Sequence, residues 1–123
     1  MARVLVVDDE KLIVKGIRFS LEQDGYEVDC AYDGEEALEL MEEKGEPDVL
    51  ITDIQMPVMD GYDATARIRR MKDEEKASIP IIAMTANAFA EDRQKAISTG
   101  MNDHVAKPID MKVLLPVMAK YIR

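Results

Sequence analysis

The sequence predicts an α/β fold in which a parallel sheet is covered by helices on both faces, and three observations carry that prediction. Short β-branched runs alternate with longer stretches of helical spacing, giving five β-α units. The runs are apolar at successive positions, as in "VLVV" and "IIAM", the pattern of strands buried on two sides. Glycines stand where helices should stop, at Gly25 in "QDGYEV" and Gly100 in "STGMND", because a left-handed residue after the last turn costs glycine little.

Taken in order, "RVLVV" at 3–7 is the first strand, and Ile13, Ile17 and Leu21 recur every four residues along the helix after it. "EVDCA" at 27–31 is the second strand, followed by a stripe of Ala37, Leu38 and Met41. "DVLIT" at 48–52 is the third, followed by Ala64, Ile68 and Met71. "IPIIAMT" at 79–85 is the fourth, with a helix that ends at Gly100. "DHVA" at 103–106 is the fifth, and Leu114, Leu115, Met118 and Ile122 mark the last helix. Pro116 conflicts with that stripe, since inside a helix it removes a backbone bond and crowds Lys112 at a cost of about 3 kcal/mol. A kink or a late start is expected there.

A chain of 123 residues fits one domain, 1–123. With 47% hydrophobic and 33% charged residues it can bury a core and still face water. The formal charge of −9, with no Lys/Arg run, excludes a phosphate-backbone partner, so no direct nucleic-acid contact is expected. Cys30 stands alone and cannot bridge within the chain; it is expected to be a small apolar filler on its strand, and a lone thiol suits a reducing cytoplasm. "MARVLVV" is too short for a signal peptide or a membrane span, so no direct membrane contact is expected.

In open α/β sheets the ligand site lies beyond the carboxyl ends of the strands, where strand order reverses. The unusual polar residues fall there. Asp8 and Asp9 end the first strand, Asp53 the third and Thr85 the fourth, and Lys107 follows the fifth. A strand-end Asp taken singly is most often a turn former or helix cap. Their joint placement points to a site. Carboxylates crowded within several ångströms repel by roughly 4 kcal/mol per close pair at an effective dielectric near 20, so a proton or a cation must sit among them. Oxygen ligands without His or Cys favour Mg²⁺ or Mn²⁺ over zinc, and Mg²⁺ typically shares its shell with a phosphate oxygen. Asp53, between the acid pair and Thr85, is the candidate nucleophile for a phosphoryl group. The Thr85 hydroxyl and the Lys107 ammonium are placed to meet the transferring oxygens.

"VVDDE", "VLITDIQMPVMDG", "IIAMTANA" and "AKPID" resemble, in order and spacing, the motifs of the receiver domain of two-component response regulators, over essentially the whole chain. The resemblance implies a three-layer (βα)5 flavodoxin-like fold with strand order 2-1-3-4-5. It implies Mg²⁺ held by Asp9, Asp53 and the main-chain carbonyl of Gln55, with Asp8 assisting, and it makes Asp53 the phosphoacceptor, Thr85 the switch hydroxyl and Lys107 the phosphate-binding lysine. A cis bond between Lys107 and Pro108 is implied as well. "MDG" at 59–61 becomes the turn into the third helix. Gln55 and Asn87, two residues beyond Asp53 and Thr85, take the positions that tune dephosphorylation; the bland alternative is that both simply face solvent. His104 stands where many receivers carry Tyr or Phe, and is either the rotamer switch or a static, partly buried imidazole.

The function so implied is a phosphorylation-driven switch. A histidine kinase or histidine phosphotransfer domain donates to Asp53, and the change is read on the face of the fourth helix, fifth strand and fifth helix. The isolated chain is then a phosphoacceptor with slow self-dephosphorylation, a monomer or weak dimer, and not an enzyme of the ordinary kind. The run from Met84 to Asp110 looks most like receivers of hybrid sensor histidine kinases, whose parent protein is a transferase; a stand-alone regulator fits the same length. Two other classes compete. A Mg²⁺-dependent small-molecule phosphatase with Asp53 as nucleophile lacks a second acid at Gln55 and room for a cap domain, and a pseudo-receiver binding module has no missing residue to recommend it.

Overall fold

The computed structural model describes residues 2–86 and 90–122, and at 90–92 the backbone only. Strands β1 (Arg3–Val7), β2 (Glu27–Ala31), β3 (Val49–Asp53), β4 (Ile81–Thr85) and β5 (Asp103–Ala106) pair in parallel in the order β2-β1-β3-β4-β5. That is the order implied by the resemblance. The helices are α1 (Lys11–Gln23), α2 (Gly34–Lys44), α3 (Gly61–Arg69), α4 (Glu74–Ala77), α5 (Ala90–Thr99) and α6 (Met111–Ala119).

Side chains alternate across each strand, so the sheet has two apolar faces and the helices divide between them. Val4, Val6, Ile51, Ile82, Met84 and Val105 meet Val14, Ile17 and Leu21 of α1 and Leu114 and Met118 of α6. On the other side, Leu5, Val7, Leu50, Ile81 and Ala83 meet Ala37 and Met41 of α2, Ile68 of α3 and Ala96 of α5. Each fully buried Leu, Ile or Met contributes about 1.5–3 kcal/mol through area removed from water. This two-sided burial explains the unbroken apolar runs of the central strands.

The register sets up one end of the sheet. Val7 lies opposite Thr52, Asp53 opposite Met84, and Thr85 opposite Ala106. One residue past β1, Asp8 therefore draws level with Asp53, and one residue past β5 comes Lys107.

Several expectations about element ends are refined. α4 is a four-residue helix that the five-unit count did not include; Asp73 caps it, accepting from the amides of Glu75 and Lys76. The fourth and fifth helices of the sequence count are thus α5 and α6. Met71 and Ile122 lie past the ends of α3 and α6, yet both pack against the core. α6 starts at Met111 and runs through Pro116, so there is no late start. Pro116 is exposed, as is Lys112, whose carbonyl loses the helical bond and is left to water. Asp110 caps this helix by accepting from Lys112 N at 2.9 Å. Gly25 and Gly100 have φ of 90° and 115°, as their helix-stopping role requires, and Gly45 does the same for α2 at 87°. Cys30 is partly buried against the α1 side of the sheet, and burial pushes its thiol pKa up.

Candidate phosphoryl and metal site

The carboxyl ends of β1, β3, β4 and β5 open onto a cleft of about 570 Å³ whose lining includes Asp9, Asp53, Gln55, Thr85 and Lys107. Asp8 is fully buried behind this lining and divides its two oxygens between two tasks. Oδ1 accepts from Glu10 N at 2.9 Å, the local turn that the bland view of a strand-end Asp foresees. Oδ2 accepts a charge-assisted hydrogen bond from the Lys107 ammonium at 2.8 Å. Asp53 is buried as well; its Oδ1 accepts from Ile54 N at 2.9 Å and lies 3.3 Å from the same ammonium. Asp9 is exposed, but a carboxylate oxygen of each of Asp8, Asp9 and Asp53 falls within 4.8 Å of the others.

One lysine faces these acids. Burial alone lowers the Lys107 pKa, but Asp8 and Asp53 outweigh it and hold the ammonium above its ordinary value. Asp53 moves the other way from a normal surface carboxylate: burial, then repulsion from Asp8, raise its pKa, and Lys107 and the Ile54 amide offset this only in part. The cluster therefore carries residual negative charge after the lysine has done what it can. Three acids that share a single lysine, two of them buried, form the all-oxygen donor set that a hard divalent cation requires. The residues fit magnesium.

The loop after β3 keeps Asp53 in place. Gly61 N donates to Ile54 O at 2.8 Å and Gly34 N to Met59 O at 2.9 Å, closing residues 54–60 against α2. Asp60 caps α3 by accepting from Asp63 N at 2.8 Å, so "MDG" is the turn into this helix. A side chain at position 61 forces the backbone to shift, because a Cβ there would collide with the Asp53 carbonyl oxygen.

Thr85 is buried beside Ala86 at the end of β4, and its Oγ1 donates to Val105 O at 3.4 Å, a long bond that is easily given up. Lys107 N donates to Thr85 O at 2.7 Å, tying the two strand ends together, and the Lys107–Pro108 bond is cis. Gln55 is exposed on the cleft wall. His104 is partly buried on β5, its Nδ1 3.7 Å from Asp103 Oδ1. Asn87 lies outside the described residues.

Sequence reasoning missed three contributors. Glu10 comes within 3.9 Å of Lys107, and Tyr62 and Lys95 line the cleft from α3 and α5. Nothing in the spacing of positions 62 and 95 signals that they meet; only the sheet order brings α3 beside α5.

Two strand-end acids on β1, one on β3, a hydroxyl on β4 and a lysine after β5 now stand around one cleft of a 2-1-3-4-5 sheet. The family model of the response regulator receiver domain matches residues 4–119. The chain belongs to the response regulator receiver family. It is 38% identical over 98% of its length to hybrid signal transduction histidine kinase I of Dictyostelium discoideum, of which it spans only 7%. It is 40% identical over 96% of its length to an uncharacterized protein of Leptolyngbya boryana, covering 88% of that chain. Among solved structures, a chemotaxis response regulator of Vibrio cholerae superposes with a TM-score of 0.90 at 32% identity, with 99% of each chain covered. The receiver domain of a sensor histidine kinase from Pseudomonas aeruginosa gives 0.86 at 34% identity, covering 98% of this chain and 96% of that one, and holds a magnesium ion in its active-site cleft. This receiver is thus a module of two-component signalling, and none of its described helices is long and apolar enough to cross a membrane.

Proposed function

We propose that this receiver is a phosphoacceptor switch in which Asp53 takes a phosphoryl group from a phosphohistidine on a histidine kinase or histidine phosphotransfer domain. The observation that carries it is the pairing of Asp53 with Lys107 at 3.3 Å in an acid cluster that one lysine leaves under-neutralised. Asp8, Asp9, Asp53 and the main-chain carbonyl of Gln55 would hold Mg²⁺, which when bound supplies neutralising charge to the phosphoryl oxygens.

The chain's own residues do the rest. A carboxylate oxygen of Asp53 attacks phosphorus; the P–N bond to the donor imidazole breaks, and that nitrogen keeps the electron pair and takes a proton. Lys107, already between Asp8 and Asp53, follows the developing charge on a phosphoryl oxygen. Thr85 gives up its long bond to Val105 O and donates to another. Movement of that hydroxyl alters the α5–β5–α6 face that a downstream partner reads; His104, partly buried on β5, is either the ring that turns with it or a static imidazole. Hydrolysis of the acyl phosphate restores Asp53, with Gln55 on the cleft wall beside the incoming water; a neutral amide positions water without acting as a strong base, so the lifetime is unexceptional.

Incubation with Mg²⁺ and acetyl phosphate, followed by intact mass measurement, tests this. Addition of one phosphoryl group to the native chain and none to Asp53→Asn is expected. Addition that persists in Asp53→Asn, or rapid turnover of external phosphate esters, rejects the assignment.

A further inference from the structure

Lys107 has a companion in the cleft. Lys95, in the second turn of α5, lines the same cavity as Asp53 and Thr85, and its Nζ stands 4.5 Å from the centroid of the Tyr62 ring at the start of α3. The two ammonium groups are engaged in different ways. Lys107 is in ion pairs with Asp8 at 2.8 Å and Asp53 at 3.3 Å, with Glu10 at 3.9 Å. Among the described residues Lys95 is in no ion pair. A carboxylate partner fixes a lysine by cancelling its charge. An aromatic face fixes it and leaves the field of the ammonium intact.

That field is needed where Lys95 stands. The cleft lining includes Asp9, Glu10, Asp53 and Asp60, and the whole chain carries −9. A phosphoryl donor is itself an anion and meets repulsion on the way in. Lys107 is largely spent on its two aspartates. Of the two lysines that line the cleft, Lys95 is the one in no ion pair among the described residues, and the flat ring beneath it keeps the side chain over the cleft.

We propose that Lys95, seated on Tyr62, receives the anionic phosphodonor at the cleft mouth before transfer. This rests on the assignment of Asp53 as phosphoacceptor. No bond is made or broken at Lys95; it raises the local concentration of the phosphoryl anion and orients it toward Asp53.

The test compares phosphorylation rates with two small donors in Mg²⁺, acetyl phosphate, which is a dianion at neutral pH, and phosphoramidate, which carries less net negative charge. Lys95→Gln is expected to lower the second-order rate constant for acetyl phosphate about threefold to tenfold at low ionic strength, less for phosphoramidate, and less again at high salt, where exposed charges are screened within about 10 Å. Lys95→Arg keeps the charge and the aromatic contact and stays within about twofold of the native chain. In a Tyr62→Leu background the effect of Lys95→Gln shrinks, because the platform is already gone. Unchanged rates in Lys95→Gln, or an equal loss with both donors at every salt concentration, overturn the proposal. If the native chain accepts no phosphoryl group from either donor, the Asp53 assignment fails, and titration of the Mg²⁺-loaded protein with inorganic phosphate followed by NMR still decides on Lys95. Weaker phosphate binding in Lys95→Gln supports its role, and unaltered binding refutes it.

Discussion

Two cations withdrawn from full solvent, Arg69 and Lys107, stand at opposite ends of the sheet and are treated in opposite ways. Arg69, closing α3 near the amino ends of β4 and β5, donates to Gly100 O at 2.8 Å, Ala77 O at 2.7 Å, Ile79 O at 2.8 Å and Asn102 Oδ1 at 2.8 Å. Asn102 Oδ1 in turn accepts from Ile81 N at 2.9 Å. Here the fan of guanidinium donors is matched by neutral acceptors, and the ends of α3, α4 and α5 are joined to β4. At the carboxyl end, Lys107 is shared between Asp8 and Asp53 and meets more negative charge than it can offset. One end spends its polar groups on structure. The other sets three acids against one lysine, a charge imbalance that is the mark of a site.

The largest effect is expected at the structural end. Arg69→Met strips four hydrogen bonds and leaves carbonyls of Ala77, Ile79 and Gly100 without that partner. A loss of about 3 kcal/mol in urea unfolding follows, with the Mg²⁺-dependent behaviour of the surviving folded protein retained. A loss under about 1 kcal/mol removes the contrast between the two ends.

Gly61→Ala comes next, since its methyl must displace the Asp53 carbonyl or the start of α3. Destabilisation of about 1–3 kcal/mol is expected, together with slower phosphorylation than in native protein under conditions where both are fully folded. Equal rates would show that the β3–α3 loop does not position Asp53.

Removing a charge from the cleft should do the reverse of removing Arg69. The Asp53 pKa is raised by burial and by Asp8, so the fold favours its protonated form; that contribution is complete below the unfolded pKa and lost as pH rises through the folded one. At neutral pH the ionised Asp53 is a burden. Asp53→Asn should therefore raise the melting temperature in EDTA by about 3–6 °C, corresponding to about 1 kcal/mol, with the gain fading as pH falls through the raised Asp53 pKa toward the ordinary carboxylate value. The Mg²⁺-induced rise in melting temperature of the native chain should shrink in the same variant. Lys107, whose pKa is raised by the two aspartates once burial is overcome, keeps its contribution throughout this range and loses it only above the ordinary lysine range.

The smallest effect calibrates the others. Gly16 lies exposed within α1, and a Cβ there meets nothing within 4 Å. Gly16→Ala is expected to stabilise by about 0.5–1 kcal/mol through helix propensity alone, measured by thermal or urea unfolding, without altering phosphorylation by acetyl phosphate.

The fold was legible because its signals are local. The apolar runs of β1, β3 and β4 and the helix-stopping Gly25 and Gly100 each state a conformation by themselves. The site was legible for a different reason: charged residues at strand ends are hard to explain as packing, and the parallel order converts chain position into proximity. What spacing could not supply was pairing between helices. Tyr62 and Lys95 look like an ordinary half-buried ring and an ordinary surface lysine until α3 and α5 are set side by side, and Arg69 resembles any solvent-facing arginine of "RIRR". Of the two outcomes that Pro116 suggested, a kink or a late start, the structure excludes the late start, because α6 begins at Met111 and carries the proline on its exposed side.

The most direct test is a crystal structure grown or soaked with Mg²⁺ and beryllofluoride. The account predicts beryllofluoride on an Asp53 oxygen, the metal among Asp8, Asp9 and Asp53, and Lys107 drawn from Asp8 toward a fluorine. A structure in which Asp53 stays bare and Lys107 still bridges Asp8 and Asp53 would contradict it.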